Sequence, residues 1–110
     1  MTFEIVVAPE AARVLRTLPG HDRVLVRDTI NRHLRHEPTK GSKSRIKRLR
    51  GLSQPQYRLR VGDIRVFYDV TETQVQVLAI VTKAEAQAWL NTQGTPSQRA
   101  EAGGSGGGEG

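Results

Sequence analysis

Three arginines flank one tight turn in this chain and could bind a phosphate group. Arg58 and Arg60 alternate with apolar residues before Gly62-Asp63, and Arg65 follows. A two-residue turn fixes the pairing of the strands on either side, so Arg60 is predicted to face Arg65 and Arg58 to face Phe67. Like charges directly across two strands cost roughly 0.2 to 1 kcal/mol, and a guanidinium binds two phosphate oxygens at once. The pattern therefore predicts a polyanion site, unless Asp69, Glu72 or Glu85 neutralises the arginines or their side chains extend into water.

The positive charge of the chain is concentrated around that turn. The 110 residues carry a formal charge of +6, whereas residues 40–65 hold nine cations and a single acid, Asp63. Concentrated charge creates a field that a phosphate backbone can feel, although a basic loop can also serve solubility alone. Phe67 is expected to be an exposed aromatic among the arginines, and Trp89 either stacks on a base or caps the sheet. The predicted RNA-binding residues are Lys43, Arg45, Lys47, Arg48, Arg50, Phe67 and Trp89.

Several site classes have no motif here. The chain has no cysteine, no Walker A loop, no HExxH motif and no carboxylate cluster, so we expect neither a metal nor a cofactor. His33 and His36 have metal-ligand spacing but lack a third ligand, so we interpret them as surface residues at a helix end. No apolar run reaches the roughly 18 to 20 residues of a membrane span, and the N-terminus does not resemble a secretory signal. A cytoplasmic protein without membrane contact is expected.

The elements that must position these side chains can be read from the pattern. Residues 2–8 predict a strand, and Pro9 to Leu18 and about Asp22 to His36 predict two amphipathic helices. A mobile basic loop is expected over residues 39–47, followed by a strand pair around Gly62-Asp63, a strand over 75–81 and a short helix over 83–90. The fold class is α+β: a small antiparallel sheet of four to five strands, an N-terminal helix hairpin packed on one face, and a short C-terminal helix. Residues 1–92 form the predicted domain, and residues 93–110 a disordered Gly/Ser-rich tail or linker.

Four stretches together resemble toxins of the RelE/ParE superfamily, from bacterial type II toxin-antitoxin systems. They are EIVVAPEAARVLRTLP, KRLRGL, YRLRVGDIRVFYDV and VLAIVTKAEAQAWL, and the resemblance covers about residues 2–90. It implies the fold derived above and an antitoxin that wraps around the protein. That antitoxin is expected to carry an acidic segment and to form a hetero-oligomer with this chain.

The resemblance implies two alternative activities. RelE-like members cut messenger RNA on the ribosome without a metal and so inhibit translation, and this branch is favoured; ParE-like members inhibit DNA gyrase without catalysis. On the RelE-like pattern, the catalytic residues would be Arg58, Arg60, Arg65 and Lys83. Lys83 and Trp89 stand where that branch has an arginine and a tyrosine. The group that accepts the proton is therefore unassigned, and Lys83 is one candidate. An inactive relative that only binds RNA or an antitoxin is a third alternative.

Overall fold

The computed structural model describes residues 2–97, which form three helices and seven strands. The helices are α1 (Pro9–Thr17), α2 (Gly20–Leu34) and α3 (Lys83–Gln93). The strands are β1 (Glu4–Val7), β2 (Ile46–Arg48), β3 (Leu52–Gln54), β4 (Tyr57–Val61), β5 (Ile64–Val70), β6 (Gln74–Thr82) and β7 (Thr95–Pro96). Pro9 begins α1, where its fixed φ and missing N–H are tolerated. The α+β class and the helix hairpin are confirmed.

Five strands form the main sheet, in the order β1-β6-β5-β4-β2, and β3 and β7 form a separate pair. Strands β2, β4, β5 and β6 pair antiparallel, as expected. The expectation of a wholly antiparallel sheet is wrong for β1, which pairs parallel with β6. Tight turns fix the relative direction of strands that follow each other in the chain, whereas the helix hairpin after β1 leaves its direction open.

The core lies between the helix hairpin and one face of the main sheet. Helix α1 packs on β6, and α2 packs on β4. The fully buried core side chains include Ala11, Val26, Leu34, Leu59, Val66, Tyr68, Val75 and Val77. The strand residues among them alternate with residues on the opposite face, where α3 packs against β5 and β6. One face of the sheet therefore builds the core, and the arginines lie on the other.

Two segments are more ordered than the composition indicated. Ile46 and Lys47 belong to β2, and Ile46 is buried opposite Leu59, so the predicted basic loop ends earlier than residue 47. The predicted domain boundary after residue 92 falls inside α3, and β7 then pairs with β3. Each segment pairs with a strand that is distant in the sequence: β2 with β4, and β7 with β3. Local sequence patterns do not predict such pairings. The predicted tail beyond residue 97 lies outside the described residues.

A buried phenol joins the sheet to the segment that follows α2. The ring of Tyr68 is fully buried and stacks on Tyr57, and its hydroxyl donates a 2.7 Å hydrogen bond to the carbonyl of Pro38. Burial, with a smaller contribution from Tyr57, raises the pKa of Tyr68. The phenol therefore stays protonated in the folded state. Its hydrogen bond to Pro38 ties the sheet to the segment that connects α2 with β2.

We predict that Tyr68→Phe destabilises the protein by about 1 to 3 kcal/mol, because it leaves the buried Pro38 carbonyl without a partner. Tyr57→Phe is the matched control, since the Tyr57 hydroxyl has no hydrogen-bond partner among residues 2–97, and it should change stability by less than about 0.5 kcal/mol. Urea unfolding measures both. The wild-type stability should also fall as pH rises above about 10, where the phenol ionises more readily in the unfolded chain. Equal effects of the two variants would contradict the assignment.

Candidate functional site

The β4–β5 hairpin places three arginines on one face of the sheet, in the predicted register. Arg60 pairs with Arg65, and Arg58 pairs with Phe67. Strand β2 adds a fourth cation, because Lys47 pairs with Arg58 from the other side. Cross-strand partners share a face, so these four side chains belong together. We call Lys47, Arg58, Arg60 and Arg65 the arginine face.

The tight turn holds Arg65 in place. Gly62 adopts φ +57°, a left-handed conformation that side chains with a Cβ rarely tolerate. The Arg65 guanidinium donates through Nη1 to the carbonyl oxygens of Gly62 at 2.8 Å and Ile64 at 3.1 Å, and only 7% of the residue is exposed. Lys83 begins α3 at the same turn, where its backbone N–H donates to the Asp63 carbonyl at 2.8 Å. The turn therefore brings Arg65 and the Lys83 backbone to one end of the hairpin.

Arg58 lies between the other cations and is half-buried. Its Nε is buried and has no hydrogen-bond partner among residues 2–97. Burial lowers the pKa of Arg58, and the neighbouring charges of Arg65 and Arg60 lower it further. A buried donor without a partner costs about 1 to 3 kcal/mol, and more when it is charged. The arrangement therefore disfavours the charge on Arg58 until an anion reaches it.

Two of the three carboxylates that could have neutralised the arginines, Asp69 and Glu85, accept hydrogen bonds from other groups. Asp69 accepts from Gln54 Nε2 at 2.7 Å and from the Gln56 backbone N–H at 2.8 Å, while Glu85 accepts from the Thr82 backbone N–H at 3.1 Å. That bond and one from the Thr82 side chain lower the pKa of Glu85. Within residues 2–97, the only ion pairs are Arg13–Glu10 and Lys40–Glu37. Within residues 2–97, Asp69, Glu72 and Glu85 therefore form no ion pair with the arginines.

The expectation that Phe67 is an exposed aromatic is wrong. Phe67 is fully buried, and its ring stacks on Trp89 with centroids 5.2 Å apart. Helix α3 covers this part of the sheet, a contact between distant segments that strand alternation alone could not reveal. Of the two interpretations of Trp89, the structure shows the one that caps the sheet, with Trp89 half-buried. Phe67 therefore lies on the same face as the arginines, beside Arg58, where Trp89 covers it.

The remaining basic residues occupy different places. Lys43 and Arg50 are exposed. Arg48 is fixed on the core side of β2, where its guanidinium lies 5.2 Å from the Tyr57 ring centroid and donates to the Gln56 carbonyl at 2.8 Å. Arg45 precedes β2, and its carbonyl accepts from the Arg60 N–H at 2.8 Å. The sequence pattern placed Lys47 in the basic loop and missed its position beside Arg58. No local sequence pattern predicts that β2 pairs with β4.

The described residues offer no metal-ligand cluster: within residues 2–97, no three His, Asp or Glu side chains come together in a way that could hold a metal ion. In the same part of the chain, no helix is both long and apolar enough to span a membrane. The arginine face offers the guanidinium groups of Arg58, Arg60 and Arg65, of which that of Arg65 is held by hydrogen bonds to the turn, and the amine of Lys47.

The fold is that of RelE-type toxins. The archaeal RelE-RelB complex from Pyrococcus horikoshii matches with a TM-score of 0.63 and 24% identity, over 76% of this chain and 97% of that one. The RelB-RelE antitoxin-toxin complex from Methanococcus jannaschii matches with a TM-score of 0.60 and 20% identity, over 76% and 96%. The toxin-antitoxin complex RelBE2 from Mycobacterium tuberculosis gives 0.59 and 22%, over 74% and 99%.

At the level of sequence, no protein-family model matches the chain. No curated protein matches it either. The likeness to the solved structures is therefore one of fold, and it agrees with the resemblance drawn from the sequence.

We predict that Arg58→Met stabilises the isolated protein by roughly 0.2 to 1 kcal/mol, because it removes a half-buried charge facing other cations and keeps most of the side-chain volume. The matched control is Arg27→Met, which removes one charge from an exposed position on α2. Urea unfolding at low salt measures both. A loss of stability in Arg58→Met, with Arg27→Met unchanged, would show that Arg58 has a stabilising partner and contradict this description.

Proposed function

We propose that this protein is the toxin of a toxin-antitoxin pair and cleaves messenger RNA on the ribosome in the cytoplasm, without a metal. The observation that carries the proposal is Arg58, half-buried among cations that no ion pair within residues 2–97 balances. A phosphate bound to the accessible guanidinium atoms of the arginine face would offset this repulsion. The RelE-like fold of solved toxin-antitoxin complexes supports the same assignment.

In the proposed reaction, the 2′-hydroxyl oxygen of one nucleotide attacks the adjacent phosphorus. The new O2′–P bond forms as the bond from phosphorus to the 5′-oxygen breaks, which leaves a 2′,3′-cyclic phosphate and a 5′-hydroxyl end. Negative charge develops on the phosphoryl oxygens, and Arg58, Arg60 and Arg65 stabilise it. Because Arg65 is bonded to the turn and held by the sheet, little reorganisation is needed during the reaction.

Two protons must also move in this reaction. The 2′-hydroxyl gives up a proton, and the leaving 5′-oxygen takes one. An arginine is effectively never neutral, so it is a poor proton acceptor. Trp89 cannot exchange a proton at all, and it is stacked on Phe67. The lysine amines remain: that of Lys83, whose backbone N–H is bonded to the turn, and that of Lys47, which pairs with Arg58. We assign proton transfer to Lys83 first, with Lys47 as the alternative.

We expect Arg58→Gln to slow cleavage by about 10²- to 10³-fold, the usual loss when one preorganised donor to a developing anion is removed. The assay is cell-free translation of a defined message, with 5′ ends mapped by primer extension in the presence and absence of ribosomes. Arg27→Gln, the charge-matched control on α2, should cut at the wild-type rate. Lys83→Ala and Lys47→Ala then separate the two amines, since only loss of the acceptor should abolish cutting.

An intact message with unimpaired translation would overturn the nuclease assignment. The second candidate is then inhibition of DNA gyrase without catalysis. It is favoured by Trp89, because tryptophan supplies no hydroxyl at the position where the RelE-like pattern has a tyrosine. A gyrase supercoiling assay with the same protein decides it. Retained RNA binding with neither activity would identify an inactive relative.

We assign the arginine face a second role as the docking surface for an acidic segment of the antitoxin. Carboxylates would offset the repulsion among the arginines as a phosphate does and would block the site. In the same cleavage assay, the antitoxin should suppress cutting, and its association rate should fall as salt rises, because exposed charges are screened beyond about 8 Å at physiological ionic strength. An association rate independent of salt would place the antitoxin elsewhere.

A further inference from the structure

A second basic pocket lies beyond the edge of the sheet, between the end of α2 and the segment that leads into β2. Its volume is about 360 Å³, and its lining includes Arg32, His33, His36, Lys40 and Arg45. Glu37 is the one acid in the lining and lies 3.9 Å from Lys40 as an exposed ion pair. The pocket thus holds a net charge of +2 before either histidine is protonated.

The helix end accounts for only part of this charge. Arg32 and His33 lie in the last turn of α2, where cations stabilise the negative end of the helix dipole. Arg45 and Lys40 come from a different segment, and bringing them to the same pocket raises repulsion. His33 is half-buried, and its pKa is lowered first by burial and then by the charges of Arg45 and Arg32. The pocket, like Arg58, holds cations close together without enough acid to balance them.

The local structure fixes the pocket in shape. The Ser42 hydroxyl accepts from the backbone N–H groups of Arg45 and Ile46, at 3.0 and 3.1 Å. The Ser42 N–H donates to the Ile46 carbonyl at 2.9 Å. These hydrogen bonds hold residues 42–46 in a turn that leads directly into β2. Arg45 is therefore presented from a hydrogen-bonded turn.

Arg45 connects this pocket with the arginine face. It also lines a shallow depression with Ser44, Arg60 and Gly62, and its carbonyl accepts the Arg60 N–H. Arg45 and Ser44 line both depressions, so the two share a border, with Arg60 on one side and Arg32 on the other. A single polyanion crossing both would meet Arg60, Arg45 and Arg32.

We propose that the pocket lined by Arg32, His33, His36, Lys40 and Arg45 is a second phosphate-binding site, which takes a backbone phosphate of the same RNA strand outside the cleavage site. The choice of RNA as the ligand rests on the proposed function. The two sites would fix the direction in which the strand crosses the protein, because one phosphate lies at the arginine face and another at the end of α2.

The first test measures binding of a fluorescent, uncleavable 2′-O-methyl RNA oligonucleotide to the full chain by anisotropy at several salt concentrations. Each lost phosphate contact should reduce the slope of log K against log salt by about 0.7. Arg32→Gln is expected to lose about one such contact. Arg27→Gln, with the same change of charge on the same helix, is expected to keep the wild-type slope. Equal slopes in the two variants would overturn the proposal.

The second test follows the histidine side chains by NMR during titration with the same oligonucleotide. The signals of His33 and His36 should shift, whereas those of His21, outside the pocket lining, should stay in place. In Arg58→Gln, which leaves the pocket lining intact but weakens the arginine face, the same shifts should appear at a higher oligonucleotide concentration. Unmoved His33 and His36, or equal shifts with a polyglutamate peptide of the same charge, would contradict an RNA site.

The two proposals fail in different ways. Ribosome-dependent cleavage with an unchanged slope in Arg32→Gln would overturn the pocket alone. Absence of both cleavage and RNA binding in the wild type would overturn the proposed function and, with it, the choice of ligand.

Discussion

The pairing of β4 with β5 across the Gly62-Asp63 turn is the constraint on which the rest of the site depends. It sets Leu59 and Val66 into the core and Arg60 against Arg65 on the opposite face. A slip of one residue would exchange the two faces and bury the arginines. Core packing therefore fixes the arginine face, and the repulsion within that face is tolerated because the apolar face opposes any slip.

The hairpin register, the helix hairpin and the fold class could be predicted from the sequence. Each depends on local rules: strand alternation, a two-residue turn and helical spacing. The parallel pairing of β1, the stacking of Phe67 on Trp89 and the place of Lys47 beside Arg58 could not be predicted. These are contacts between segments far apart in the chain, and no local pattern specifies which distant element covers a given face.

The electrostatic account of the site follows from the same topology. Asp69, the nearest acid in the β5 sequence, is held by Gln54 and Gln56, so it stabilises the connection into β4 instead of the arginines. The protein thereby keeps a set of cations that its own carboxylates do not balance within residues 2–97. Such a set is costly in the isolated protein and favourable once an anion binds, which is the usual relation between stability and function at a binding site.

The most direct test of this account is the chemistry of the RNA ends. A defined message translated in the presence of the protein should carry new ends with a 5′-hydroxyl and a 2′,3′-cyclic phosphate. A single 2′-deoxy substitution at the mapped position should abolish the cut there. Cleavage that survives the 2′-deoxy substitution, or a message that stays intact on translating ribosomes, would contradict the claim that the arginine face stabilises attack by a 2′-hydroxyl.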